Sequence, residues 1–305
     1  MRREGIPVNS LDEIFLDGAI VYVDTSAHSL HGHNPFSIFG QAGKNTFSEI
    51  NPRNVLKSCS TLNEFCRFLN YDSALVIPEV VLELNRFKKA FNGNYMGLFS
   101  DNPNGHLEIK GLLKTFKELI VEAIEMAKDV SVSEVSDMRY VKLTEMVNTL
   151  SIKLNLKKQP KKVIEILQRD YINGKDTDEK MVAMAYYSSL YERTSVNVLS
   201  GDKDFESLFR ETSRFLGSSH FLPYNQLFRD ALSNFPIKLF YIHKYGIDLV
   251  YQSSEIRFRE DFINKSTNSW IRGKISSSWR DIHELEKVDS QEYEDCNQVI
   301  NARKF

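Results

Sequence analysis

Ala19-Ile20-Val21-Tyr22-Val23-Asp24 is the stretch on which the fold turns: β-rich apolar residues in unbroken succession, then a carboxylate. Such a run predicts a strand covered on both faces, and the switch to Asp24 marks its carboxyl end. Ala74-Leu75-Val76-Ile77, stopped by Pro78, and Val196-Asn197-Val198-Leu199, stopped by Ser200-Gly201-Asp202, have the same form. Long helical patterns lie between the three. Strands alternating with helices predict an α/β fold with a mostly parallel sheet and helices on its faces. Ligands of such sheets bind outside the carboxyl ends of the strands, which is where these acids fall.

Outward from the first strand, residues 25–52 are rich in Ser, Gly, Asn and His and read as a long loop near that edge. Residues 54–69 alternate in helical fashion, and a second helix is expected from Glu79 to about Phe91. Residues 107–172 differ in kind. Ile109, Leu112, Leu113, Phe116, Leu119, Ile120 and Ile124 recur mostly at three- and four-residue intervals. The pattern resumes through Val141, Met146, Val147 and Leu150 and again at Val163, Ile166 and Leu167, which predicts an all-helical insertion of three helices. After Asp204-Phe205 comes another helix. Ile237–Ile242 and Ile247–Tyr251, separated by His243-Lys244-Tyr245-Gly246, read as a strand pair with a glycine-containing turn. Residues 281–305 carry seven acids against three bases and read as an appended helix or mobile tail. The expected organisation is one domain over 15–251, holding the insertion, and a C-terminal extension over 252–305.

Composition narrows the class. With 305 residues, 42% apolar and 26% charged, the chain can bury a sizeable core without staples, and collagen-like or disulfide-scaffold architectures are excluded. A formal charge of -2 argues against a surface that is basic throughout, while permitting a local basic groove. Cys59, Cys66 and Cys296 lack C-x-x-C spacing, so reduced thiols are expected rather than a disulfide framework or a cysteine zinc site. Asp12, Glu13 and Asp17 interrupt any apolar leader, and no run approaches the roughly 18 apolar residues of a membrane span. A soluble, cytoplasmic protein with no membrane partner is the expectation.

The acids carry the chemistry. In a helix from Glu79, Glu83 shares the apolar stripe of Val80, Leu84 and Phe87. Asp178 stands in the first turn of a helix whose inward positions include Val182 and Ala185, with Asp176 and Glu179 forming a capping pattern. Any one such acid is explained by pairing with Lys or Arg, or by capping backbone N–H groups. Jointly, Asp24, Glu83, Asp178, Asp202 and Asp204 all fall at or near one edge of the sheet, with no equally clear set of inward bases. Ionised carboxylates need compensation in a low-dielectric setting, and a divalent cation supplies it. Oxygen ligands alone favour Mg²⁺ or Mn²⁺ over zinc. The reaction class that follows is metal-assisted phosphodiester hydrolysis.

Val21-Tyr22-Val23-Asp24-Thr25-Ser26, Val76-Ile77-Pro78-Glu79-Val80-Val81-Leu82-Glu83-Leu84, Asp178 with Ala183 and Ala185, and Val198-Leu199-Ser200-Gly201-Asp202-Lys203-Asp204-Phe205 resemble, in order, the four motifs of PIN-domain nucleases. The last is the most specific. The resemblance implies a three-layer α/β/α sandwich and a Mg²⁺- or Mn²⁺-dependent nuclease, most often an endoribonuclease that cuts single-stranded RNA to leave a 5′-phosphate. By motif position, Asp24, Glu83, Asp178 and Asp202 match the family's acidic quartet. Asp204 matches an accessory acid, and Ser200, with Thr25 and Ser26, supporting hydroxyls. The spacings exceed those of the compact PIN toxins, and about half the chain lies outside the resemblance. A flap-type structure-selective DNA nuclease and a non-catalytic PIN-like scaffold remain as alternatives, and an inhibitor or partner protein and a homo-oligomer stay open.

Other features weigh less. His28, His31 and His33 read as solvated loop residues before metal ligands. Arg86, Lys88 and Lys89 after Glu83, and Lys157, Lys158, Lys161 and Lys162 with Lys153 around Pro160, are candidate phosphate contacts. Tyr186, Tyr187, Phe205 and Phe209 read as helix packing. Trp270 and Trp279 lie among bases and suit either single-stranded nucleic acid or docking of the extension. The absence of G-x-x-x-x-G-K-[ST] and G-x-G-x-x-G removes the main support for nucleotide-triphosphate and dinucleotide readings, and Ser26 breaks the D-x-D of an aspartyl phosphatase.

Overall fold

The computed structural model describes residues 5–28, 51–101, 107–155, 177–217 and 225–255. It divides into two compact units that the chain visits alternately. One comprises Met1–Glu134, Thr194–Glu206 and Pro236–Gln252; the other, Val135–Arg193, Ser207–Phe235 and Ser253–Phe305.

The first unit holds the sheet. Its strands are β1 (Ile6–Pro7), β2 (Ile20–Val23), β3 (Ala74–Leu75), β4 (Val196–Ser200), β5 (Ile237–His243) and β6 (Gly246–Gln252), in the order β1-β6-β5-β4-β2-β3. β2 pairs in parallel with both β3 and β4, and β4 with β5. β5–β6 and β6–β1 are antiparallel, so the sheet is mixed. The apolar runs explain the centre: β4 is buried at every position and β2 at three of four, as strands covered on both faces require. The expected 74–77 strand is short. After Leu75 only Val76 continues, in a lone parallel bridge to Ser131, because Pro78 already opens a helix. β1 approaches β6 closely at Gly5, where a Cβ would stand 2.6 Å from Asp248 Cβ.

Among the described residues the helices of this unit are α1 (Asp12–Phe15), α2 (Pro52–Leu69), α3 (Pro78–Asp101) and α4 (Leu107–Asp129). Asn51 caps α2 by accepting the Arg53 N–H, and Pro52 takes the first helical position, where its missing donor costs nothing. α3 runs well past the Phe91 expected as its end, held to α4 where the Phe91 and Phe116 rings meet at 5.8 Å. α1 is pinned to the amino ends of the strands. Asn197 Nδ2 donates to the Ile14 carbonyl at 2.6 Å, and Ser73 Oγ to that of Phe15 at 2.7 Å. Cys59 and Cys66 are free thiols of α2, and burial pushes them up to about 11 and about 12.

The second unit is helical. It contains α5 (Met138–Asn155), α6 (Thr177–Leu190), α8 (Asn225–Asn234), a 3-10 turn at Ser253–Glu255, and all but the first turn of α7 (Asp204–Leu216). Residues 181–186 of α6 are all buried, so this helix is apolar all round rather than striped. Tyr186 bonds through its hydroxyl to the Phe209 carbonyl and to Ser213 Oγ, both at 2.7 Å. The expected insertion is helical over α4 and α5; residues 156–176, and with them Lys157, Lys158, Lys161 and Lys162, lie outside the described residues. So do His31, His33, most of the 25–52 loop and residues 256–305 with both tryptophans. Among the described residues no helix is long and apolar enough to cross a membrane.

Candidate functional site

The carboxyl ends of β2 and β4 assemble the site. Asp24 N–H donates to the Leu199 carbonyl at 3.0 Å, carrying the β2–β4 ladder one residue past the strand and leaving Asp24 only 2% exposed. The chain then tightens into a 3-10 turn, Thr25–His28. This turn folds the Ser26 N–H back onto Asp24 Oδ2 at 3.2 Å. The Ser26 hydroxyl bonds to the same oxygen. Ser200, the last residue of β4 and fully buried, donates to Asp24 Oδ2 at 2.9 Å.

Each serine hydroxyl has one proton to give and accepts one backbone N–H: Ser26 Oγ from Gly201 at 2.9 Å, Ser200 Oγ from Asp202 at 3.0 Å. The two hydroxyls also lie within hydrogen-bond distance of one another, at 2.9 Å, where either could donate. The loop Ser200-Gly201-Asp202 is thereby clamped to the β2 turn. Asp202 turns its own Oδ1 onto the Asp204 N–H at 2.9 Å, starting α7, which is a capping role.

Glu83 enters from α3. Val80 and Leu84 on its flanks are fully buried, as the apolar stripe predicts, and Glu83 itself is half-buried. Thr25 links the acids: its hydroxyl bonds to Glu83 Oε2 and lies 3.3 Å from Asp24 Oδ1. Burial pushes the Asp24 carboxyl above the usual carboxylate range. The Ser26 and Ser200 hydrogen bonds oppose that rise, and the nearby Glu83 charge adds to it. Among the described residues no Lys or Arg pairs with Asp24.

The remaining predicted residues fall differently. Asp178 is in the first turn of α6, half-buried beside buried Thr177, and belongs to the helical unit. Asp204 is the exposed first residue of α7. Arg86 and Lys89 are exposed on α3, whereas Lys88 is half-buried; on α4, Lys128 holds Glu125 below the usual range, with a smaller contribution from the Lys88 charge. Residues 241–245 were read only as strand and turn. The i, i+2, i+4 recurrence of Tyr241, His243 and Tyr245 was the signal that these rings share a side of the β5–β6 hairpin.

For a divalent ion the donor chemistry is suitable: the Asp24 and Glu83 carboxylates are joined by the hydroxyls of Thr25, Ser26 and Ser200, oxygen groups of the kind a hard cation prefers. The number of acids is smaller than the motifs suggest. Among the described residues no group of three or more His, Cys, Asp or Glu is close enough together to hold a metal. Comparison with protein-family models, with curated proteins and with solved structures found no match.

Proposed function

We propose that the protein is a Mg²⁺- or Mn²⁺-dependent phosphodiesterase, an endoribonuclease acting on single-stranded RNA, with Asp24 at its centre. The observation that carries this reading is a buried carboxylate at the carboxyl end of a central strand, coupled to a second acid through Thr25 and without a basic partner among the described residues. A purely structural acid in that position is normally paired. The order of motifs along the chain supports the same reading, as do the hydroxyls that bond to the two acids. On this reading the mixed sheet and its helices form a PIN-like α/β/α sandwich, and the free thiols of Cys59 and Cys66 suit a reducing cytoplasm.

Asp24 and Glu83 would hold the ion, which when bound lowers the pKa of a coordinated water and offsets charge on phosphoryl oxygens. The chain's own residues prepare the place. Ser26 and Ser200 fix the Asp24 carboxylate through Oδ2, leaving Oδ1 to face Thr25. Thr25 holds Glu83 in register with it. Gly201 and Asp202 keep the loop shut against the turn through their backbone N–H groups. The part of Asp178 in the reading rests on the sequence resemblance.

The small number of gathered acids favours one rival, a PIN-like scaffold without catalysis. A single assay separates them. Purified protein with Mn²⁺ is expected to cut single-stranded RNA, and Asp24→Asn to abolish cutting while circular dichroism stays native. Cleavage retained in Asp24→Asn sinks the assignment. Cleavage of branched DNA with RNA untouched would transfer it to a flap-type nuclease, and no cleavage with no ion bound would leave the scaffold.

A further inference from the structure

β5 outruns β4. Ser200, the end of β4, pairs with Tyr241, and β5 continues to His243 before Lys244 and Tyr245 turn the chain back into β6. The Tyr241 and His243 rings are stacked, with centroids 5.9 Å apart and 12° between planes. Tyr245 meets His243 edge-on at 6.0 Å and is 80% exposed. Two ammonium groups flank the rings. Lys203, in the loop after Ser200, stands 5.8 Å from the Tyr241 centroid, and Lys244 stands 4.4 Å from that of Tyr245. The histidine is oriented on one side by the Tyr245 N–H, which Nδ1 accepts at 3.3 Å; Nε2 lies 3.2 Å from Asp248 Oδ2 without a hydrogen bond to it.

One exposed tyrosine needs no explanation. Three rings in file, each in contact with the next, with a cation at either end, form a surface with defined chemistry. Flat π-faces take unstacked bases whatever their identity, and ammonium groups beside them take the phosphates between bases. Bases of a duplex are already stacked on one another and cannot use such a file. The file begins at the residue registered with Ser200, so a strand lying on it runs directly to the Asp24 turn.

We propose that Tyr241, His243 and Tyr245, with Lys203 and Lys244, are a stacking track for a single-stranded polynucleotide that leads to the carboxyl edge of β2 and β4. The proposal rests on the nuclease reading for its purpose, but its test does not use cleavage. Fluorescence anisotropy with a short, dye-labelled, adenine-rich RNA strand in EDTA reads binding alone. Wild type is expected to bind the strand, and to bind the matching duplex more weakly. Tyr245→Leu weakens binding about tenfold, the effect of losing one stacked base. Tyr245→Phe keeps it, because the ring and not the hydroxyl is used. Lys244→Gln flattens the salt dependence. Tyr245 is mostly exposed, so none of these variants threatens the fold. The track is refuted if wild type does not bind, if the duplex binds as well, if Tyr245→Leu binds like wild type, or if Tyr245→Phe falls as far as Tyr245→Leu. Failure of the nuclease reading would instead show as no cleavage in Mn²⁺ with these binding differences intact.

Discussion

Opposed forces act on the Asp24 carboxyl. Burial and Glu83 push its carboxyl upward, and the Ser26 and Ser200 hydroxyls pull it back. A folded-state pKa above the unfolded one means that the native protein binds the extra proton. Stability from this group is therefore present below the ordinary carboxylate range and is lost as pH rises towards the raised value. Asp24→Asn, in metal-free protein, is expected to melt above wild type at neutral pH, with the gap closing in acid; equal melting temperatures across that range would contradict it. Ser200→Ala removes a hydrogen bond that favours the charged form and leaves the Asp202 N–H without its acceptor. It should cost about 1–3 kcal/mol in chemical denaturation. It should also move the acid limb of any cleavage pH profile upward. At this scale the place of Asp24 was legible, because an apolar run broken by a carboxylate marks a strand end; the expected meeting of Asp178, Asp202 and Asp204 with it is not seen among the described residues. The hydroxyl collar was legible only as a list of supporting residues. Its wiring joins positions 58 and 176 apart, and no local pattern encodes that. Nor did the motif reveal that Asp202 spends an oxygen on capping its own turn.

Elements were readable where burial is two-sided and the run is long. β2, β4, β5 and β6 fall where apolar or alternating residues put them. β1 is two residues with a proline at a sheet edge, a place proline tolerates but no periodicity announces. The length of α3 was missed because its continuation depends on Phe91 finding Phe116 in another helix. The β5–β6 turn depends on Gly246, whose φ of +145° suits glycine and which has open space where a Cβ would go. Gly246→Ala should therefore cost about 1 kcal/mol through backbone strain alone, read by denaturant melts. At the head of α5, Asp137 accepts the Arg139 N–H at 2.7 Å, ion-pairs with its guanidinium at 2.8 Å and accepts the Tyr187 hydroxyl at 3.1 Å. Arg139 holds the Asp137 carboxyl below the usual range, so this cap strengthens above ordinary carboxylate pH and is lost in acid. Asp137→Ala is expected to cost about 1–2 kcal/mol at neutral pH, and less at low pH.

For the whole molecule, connectivity matters more than any element. Each unit is made of three separated segments, so no single cut yields either one intact. A fragment ending at residue 206 lacks β5 and leaves β4 as an open edge. It should aggregate or remain largely unfolded by circular dichroism, and a soluble, native-like fragment would refute this. The three-strand kernel was foreseeable from the alternation of strands and helices, whereas the division into two interleaved units was not, since apolar periodicity says which face is buried but not against what.

The pairing of β4 with β2 also sets an order of events in biosynthesis. A ribosome that has already delivered Asp24 and Glu83 must thread out α4, α5 and α6 before Ser200 appears, and β5 later still. Closing so large a loop is slow compared with forming helices. The nascent polypeptide therefore carries the acid long before it carries the clamp that seats it.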